Sequence, residues 1–207
     1  MSHRAGRHFL QIPGPSPVPD RVLRAISVQV IDHRGPDFAA VGQAALEGMK
    51  WVFKTAQDVV IYPCSGTGAW EAALVNVLAK GDRVLMYETG HFAAMWKKMA
   101  EKLGLRPEFI EGDWRGGADP EAIEAHLRRD KAHEIKAVCV VHNETSTGSV
   151  SPIAQVRAAI DVFDHHRIDV PAKLGDGRVK FHAPFVGQLG GVFIDSRVAR
   201  LDIGAAV

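Results

Sequence analysis

Cysteine is nearly missing from this chain. Only Cys64 and Cys139 stand in 207 residues, with no CxxC pair, no disulfide framework and no zinc-ligand spacing. Both read as residues of interior segments, which fits a reducing, cytoplasmic setting. Surplus charge is missing too: 25 Lys plus Arg against 24 Asp plus Glu leave +1. With no long run of one sign either, no nucleic-acid partner is expected. No apolar stretch is long enough to span a bilayer, so no membrane partner is expected. Residues 1–10 carry Arg4 and Arg7 without the apolar segment of a leader, and the final GAAV is no peroxisomal address; no targeting segment is expected. Histidine is plentiful at 10, with His165 and His166 adjacent and His182 beyond. No HExxH or comparable spacing accompanies them, and no metal is expected.

What is present is the composition of a globular protein, 46% hydrophobic and 24% charged, with room for one sizeable core. Residues 11–20 place Pro13, Pro15, Pro17 and Pro19 at alternate positions; each ring fixes φ and pushes its predecessor towards extended geometry, so residues 1–19 read as an ordered arm. A short helix is expected over 20–30, a turn over 31–36, and then an N-cap at Asp37. Phe38, Val41, Ala45, Met49, Val52 and Ala56 recur at steps of three and four, the stripe of an amphipathic helix.

From there the pattern becomes strand, loop, helix. Residues 59–62 read as a β-rich run, 63–68 as a turn and 69–80 as a helix that Gly81 ends. The unit recurs as strand 83–87 with helix 91–103, strand 108–110 with helix 120–129, and strand 137–142 with helix 152–163. Four βα units in succession predict an α/β fold on a mostly parallel sheet, with ligands at the carboxyl ends of the strands. Beyond Asp164 the regularity fails until a short strand at 192–194, and 165–207 remains an unassigned tail.

Two post-strand loops could carry chemistry. Cys64, Ser65, Gly66, Thr67 and Gly68 lie between strand and helix, where free backbone N–H groups, a positive helix end and small residues suit an anion such as phosphate. This is neither a Walker A loop, nor GxGxxG, nor GxSxG. A plain strand-to-helix turn would use the same small residues. The second loop is HNETSTG at 142–148, dense in polar side chains at a strand end; it reads as a ligand contact or as a self-capping turn.

GPSPVP at 14–19, HRGPDF at 33–38, SGTGA at 65–69 with EAA at 71–73, GDRV at 81–84 and HNETSTG at 142–148 occur in one order. Over about residues 9–161 that order resembles the class V aminotransferases, in particular the serine/alanine–glyoxylate branch. The resemblance implies a pyridoxal 5'-phosphate enzyme of fold type I, of which residues 20–164 would be a partial large domain in a three-layer α/β/α arrangement. It also implies a homodimer that moves an amino group from serine or alanine to glyoxylate, with amino acids and 2-oxo acids as small-molecule substrates. By the same resemblance Ser65, Gly66 and Thr67 cradle the cofactor phosphate and Thr145 hydrogen-bonds the cofactor ring. Phe92 stacks on the pyridine face, although an aromatic there also suits a core, and Gly14 lies near the substrate.

The chain also departs from the family. Trp70 stands where methionine is usual, Cys64 replaces a small residue and His91 replaces arginine or isoleucine. Asp195, after an apolar run, resembles the aspartate that pairs with the pyridine nitrogen, displaced along the chain; an ordinary turn is the alternative. No lysine follows Asp195, and Lys173 and Lys180 precede it in the wrong order, so the Schiff-base lysine is not found and the catalytic residue is unknown. A truncated chain of little or no turnover, with unpaired sheet edges and poor solubility, is the expectation. A non-catalytic remnant that binds a phosphorylated ligand or a partner is the second reading. A cysteine desulfurase is the third, though neither Cys64 nor Cys139 sits in the mobile loop it would need.

Overall fold

The computed structural model describes residues 12, 16–53, 56, 58–61, 63–165 and 190–194. The chain divides into two compact units, Met1–Ala45 and Leu46–Val207. In the first, α1 (Asp20–Ile26) begins behind Pro19 and ends at Ser27, whose N–H returns to the Leu23 carbonyl. This helix is shorter than the 20–30 expected, since a turn at Ser27 and a bend at Val28 follow.

Helix α2 (Pro36–Val52) starts one residue before the expected cap. The Ala39 N–H donates to the Gly35 carbonyl at 3.2 Å, so the first turn closes on Gly35. Pro36 then takes the first helical position, where a fixed φ and a missing N–H cost nothing. The helix stops at Val52, short of Ala56. Its apolar stripe buries no residue among the described ones, and Val41 is 61% exposed.

The second unit is built on a four-stranded sheet in the order β2-β1-β3-β6. Its strands are β1 (Arg83–Tyr87), β2 (Arg106–Ile110), β3 (Ile135–Val141) and β6 (Gly190–Ile194). β1 is parallel to both β2 and β3, while β6 runs antiparallel on the far edge of β3. α3 (Gly66–Val77) precedes the sheet, α4 (His91–Lys102) links β1 to β2, α5 (Pro120–Arg129) links β2 to β3, and α6 (Ile153–His165) follows β3. Going from β1 to β2 crosses the sheet in one direction and from β2 to β3 in the other. Crossovers of one hand therefore place α4 and α5 on opposite faces.

Burial follows this alternation. Val84, Met86, Ala137, Cys139 and Val141 pack with Trp70, Leu74 and Trp96 on the α3 and α4 side. Leu85, Val138 and Val140 pack with Ile123, Leu127, Val156 and Ile160 on the α5 and α6 side. Strands covered on both faces read as unbroken apolar runs, as AVCVV at 137–141 in β3 does. The three-layer α/β/α architecture is thus as expected.

One expected strand does not form. Residues 58–61 carry no strand; Val59 is buried, but Val60 and Ile61 are 62% and 61% exposed. β-branched residues favour a strand only where a neighbouring strand gives them a pleated surface to fit, and no strand among the described residues pairs with this run. α3 is accordingly entered from an unpaired segment. Among the described residues no helix is long and apolar enough to cross a membrane.

Candidate functional site

β1 and β3 lie side by side, yet the chain leaves them for opposite faces, through residues 88–90 to α4 and through 142–152 to α6. Such a parting marks a topological switch point, the place beyond the strand ends where open α/β sheets bind ligands. Trp70 of α3 stacks on Trp96 of α4 at 4.9 Å between ring centroids and 14° between planes. Phe92, the second residue of α4, meets Trp70 edge-on at 6.3 Å. The starts of α3 and α4 therefore sit next to each other at one edge.

The two helix starts differ in their electrostatics. The first N–H groups of any helix lack an intrahelical acceptor and attract negative charge. At α4 that charge comes from Glu144, 1% exposed, whose carboxylate accepts the Ala93 N–H at 3.1 Å and the Phe92 N–H at 3.4 Å. The same carboxylate accepts the Ser146 N–H at 3.1 Å and the Ser146 hydroxyl at 2.6 Å, and the Ser146 hydroxyl oxygen accepts the His91 N–H at 2.9 Å. At α3, Ser65 occupies the cap position with extended backbone (φ −84°, ψ 177°), but its side chain makes no cap hydrogen bond. A Cβ on Gly68 would lie 2.7 Å from the Cys64 Cβ, so only glycine lets this loop fold so tightly over the helix start.

The 142–148 loop is fixed to its surroundings. β4 (Asn143–Glu144) pairs with β5 (Ser149–Val150), and the Gly148 N–H returns to the Glu144 carbonyl at 2.8 Å. Thr147 donates through its hydroxyl to the Thr89 carbonyl at 3.3 Å, joining this loop to the one after β1. Thr145 is half-buried between the anchored Glu144 and Ser146. Two polar atoms at these strand ends, Thr89 Oγ1 and His142 Nδ1, are buried with no partner among the described residues. Burial also pushes the His142 ring below the usual histidine range, which keeps it neutral. Beside them, Trp114 sits at φ 62° and donates its indole N–H to Glu88 at 3.0 Å.

Of the residues singled out from the sequence, Ser65, Gly66, Thr67, Phe92 and Thr145 all come to this edge. Gly14, Asp195, Lys173 and Lys180 lie outside the described residues. The loops that form the edge, 63–65, 88–90, 111–119 and 142–152, contain no lysine. Cys139 is buried, its thiol pushed up to about 12, while Cys64 is exposed. Sequence reasoning missed Glu144 and Glu88. A carboxylate within HNETSTG was visible, but its target is an amide pair some 50 residues away, and no local pattern encodes that distance.

The site fits a flat, phosphorylated, aromatic ligand. The start of α3 has no side-chain cap, an aromatic ring stands a short way off, and polar atoms without a partner among the described residues are buried nearby. A family model for class V aminotransferases matches residues 8–164. The chain belongs to that family.

Among curated relatives, the serine–glyoxylate aminotransferase of Methylorubrum extorquens is 50% identical over 165 residues, covering 79% of this chain and 41% of the relative. The serine–glyoxylate aminotransferase of Arabidopsis thaliana is 39% identical over 161 residues, covering 77% of this chain and 40% of the relative. The chain thus spans about two fifths of the length of these relatives. Among solved structures, the ureidoglycine–glyoxylate aminotransferase of Bacillus subtilis superposes with a TM-score of 0.66 at 30% identity, covering 79% of this chain and 42% of that one. The architecture is that of the fold type I aminotransferases, a class whose cofactor is pyridoxal phosphate.

Proposed function

We propose that this class V chain is the cofactor-holding part of an aminotransferase that moves an amino group from serine or alanine to glyoxylate. The observation that carries the reading is the contrast between the helix starts: α4 has its carboxylate in Glu144, and α3, with Ser65 at its cap making no side-chain bond, has none among the described residues. A single phosphate placed at α3 completes the pair, and a second anionic group would meet Glu144. A ligand with one phosphate and a flat ring is favoured over a dinucleotide.

Each residue then has a task. The Gly66 and Thr67 N–H groups with the Ser65 and Thr67 hydroxyls hold the phosphate. Phe92 covers one face of the ring, and the Thr145 hydroxyl meets its polar edge. His142, neutral, leaves the edge without a competing positive charge. Bound pyridoxal phosphate supplies an electron sink for the carbanion formed at the amino acid's α-carbon. Gly14 beside the substrate and Asp195 at the pyridine nitrogen belong to the same proposal, as do residues 20–164 as the cofactor-binding domain, a homodimer and a cytoplasmic location.

Because the edge loops carry no lysine, turnover by this chain alone is expected to be low. The same observation favours, as a second reading, a module that binds a phosphorylated ligand without turning it over. Titration with pyridoxal phosphate, followed by absorbance, separates these from a chain with no site. Saturable binding that inorganic phosphate competes away and Thr67→Ala weakens is the expected result. Serine-to-glyoxylate transfer then tells enzyme from module, and borohydride reduction with peptide mapping shows whether Lys173 or Lys180 is labelled. A chain that binds no pyridoxal phosphate would end both readings.

A further inference from the structure

We propose that Glu144 is the positioning residue of this site: its buried carboxylate locks the first turn of α4 to the 142–148 loop and so fixes Phe92 and Thr145 relative to each other. The identity of the ring held between them rests on the cofactor reading above; the lock does not.

Four donors converge on this one side chain, the Phe92, Ala93 and Ser146 N–H groups and the Ser146 hydroxyl. Every one is a donor, so only a group that accepts through both oxygens satisfies them all. Among the described residues no cation pairs with Glu144; the counter-charge is the positive end of α4. Through Ser146 the His91 N–H is tied in as well, and the Ala94 N–H then begins the intrahelical ladder on the Gly90 carbonyl. The opening turn of α4 thus hangs on one carboxylate.

The closeness of the two segments leaves no slack. A Cβ on Gly90 would come within 2.5 Å of the Ser146 Oγ and 2.6 Å of the Glu144 Cγ. Phe92 is held by its N–H on Glu144 at one end and by the Trp70 ring edge at the other. Thr145 is held because both its neighbours are, Glu144 through strand pairing with Ser149 and Ser146 through the carboxylate. Binding at Thr145 should therefore stiffen α4, and loosening Glu144 should loosen both contacts at once.

The test is Glu144→Gln in the full chain, a change of nearly constant volume that sets an NH2 donor against a cluster of donors. Amide hydrogen exchange of His91, Phe92 and Ala93 is compared in wild type and variant, with and without pyridoxal phosphate, and the dissociation constant is measured in both. Expected is exchange at Phe92 and Ala93 at least about 10-fold faster in the variant, with exchange in the α5 core unchanged, and affinity weaker by about 10-fold. Unchanged exchange would overturn the lock whether or not the cofactor binds. Faster exchange with unchanged affinity would overturn the positioning role and leave a plain helix cap. If wild type binds no pyridoxal phosphate, the cofactor reading falls by itself and exchange still decides on the lock. Should E144Q not fold, Ser146→Ala removes the hydroxyl that donates to Glu144 and accepts the His91 N–H while leaving the Phe92, Ala93 and Ser146 N–H bonds to the carboxylate; faster exchange at His91 with a smaller loss of affinity supports the lock, and no change at His91 sinks it.

Discussion

Helices α2 and α5 carry the same kind of sequence pattern and meet opposite fates. Both place apolar residues at three- and four-residue steps with charged residues between. α5 buries Ile123 and Leu127 completely or nearly so against the sheet and α6. α2 buries none of its residues, and its Trp51 is 82% exposed. A helical stripe shows that a face wants cover; it does not say what covers it. α5 has cover because the strands on either side of it in the chain pair through β1 and pull the helix onto the sheet. Among the described residues no pair of strands flanks α2 in this way.

The sharpest way to break this contrast is to truncate α5. Ile123→Ala removes fully buried methyl groups between α5 and the sheet and should cost about 2–5 kcal/mol in urea unfolding. A cost under about 1 kcal/mol would mean that α5 is no better covered than α2. Next is the cap of α5, where the Asp119 side chain accepts the Glu121 N–H at 2.9 Å and Pro120 opens the helix. Asp119→Ala should cost about 1 kcal/mol. No such loss would show that the helix is held by packing alone.

A smaller effect lies at the end of β3. Burial lowers the His142 pKa, so the unfolded chain binds that proton more readily than the folded one. The stability that the neutral ring contributes is complete above the unfolded value of about 6.5 and is lost as pH falls through the folded value. The wild-type Tm should therefore drop more between pH 7 and pH 5 than that of His142→Asn. Parallel curves for the two proteins would remove His142 from the buried edge. Smallest of all should be Val41→Ala on α2, within about 0.5 kcal/mol at low protein concentration. A larger loss, with a concentration-dependent Tm, would mean that a second copy covers the stripe, which is what the proposed homodimer calls for.

Legibility in the sequence followed the range of the interactions. Strand 83–87 and helix 120–129 were readable to the residue, because a short apolar run, an aspartate cap, Pro120 and closing basic residues are all local signals. Residues 59–62 were misread as a strand. Their β-branched side chains state a preference that only a neighbouring strand can satisfy. At the site, Gly66 and Thr67, read as part of a turn over 63–68, open α3, which runs over Gly66–Val77 and not 69–80, whereas Ser65 and Thr145 were legible as loop residues at a helix start and a strand end. Glu144 was not, since its donors belong to α4, and Glu88 was not, since Trp114 reaches it from another loop.

By itself, then, the sequence determined the alternation of strands and helices, the class V motifs and their order, and an anion-ready turn at residues 65–67. These depend on periodicity, caps and small residues, whose physics acts within a few positions of the chain. The tertiary structure alone decided that the starts of α3 and α4 would be neighbours, that one of them would already hold a carboxylate, and that the loops after β1 and β3 would be tied to each other. Those facts come from the order of strands in the sheet and the hand of the crossovers, which bring together residues that no local pattern connects.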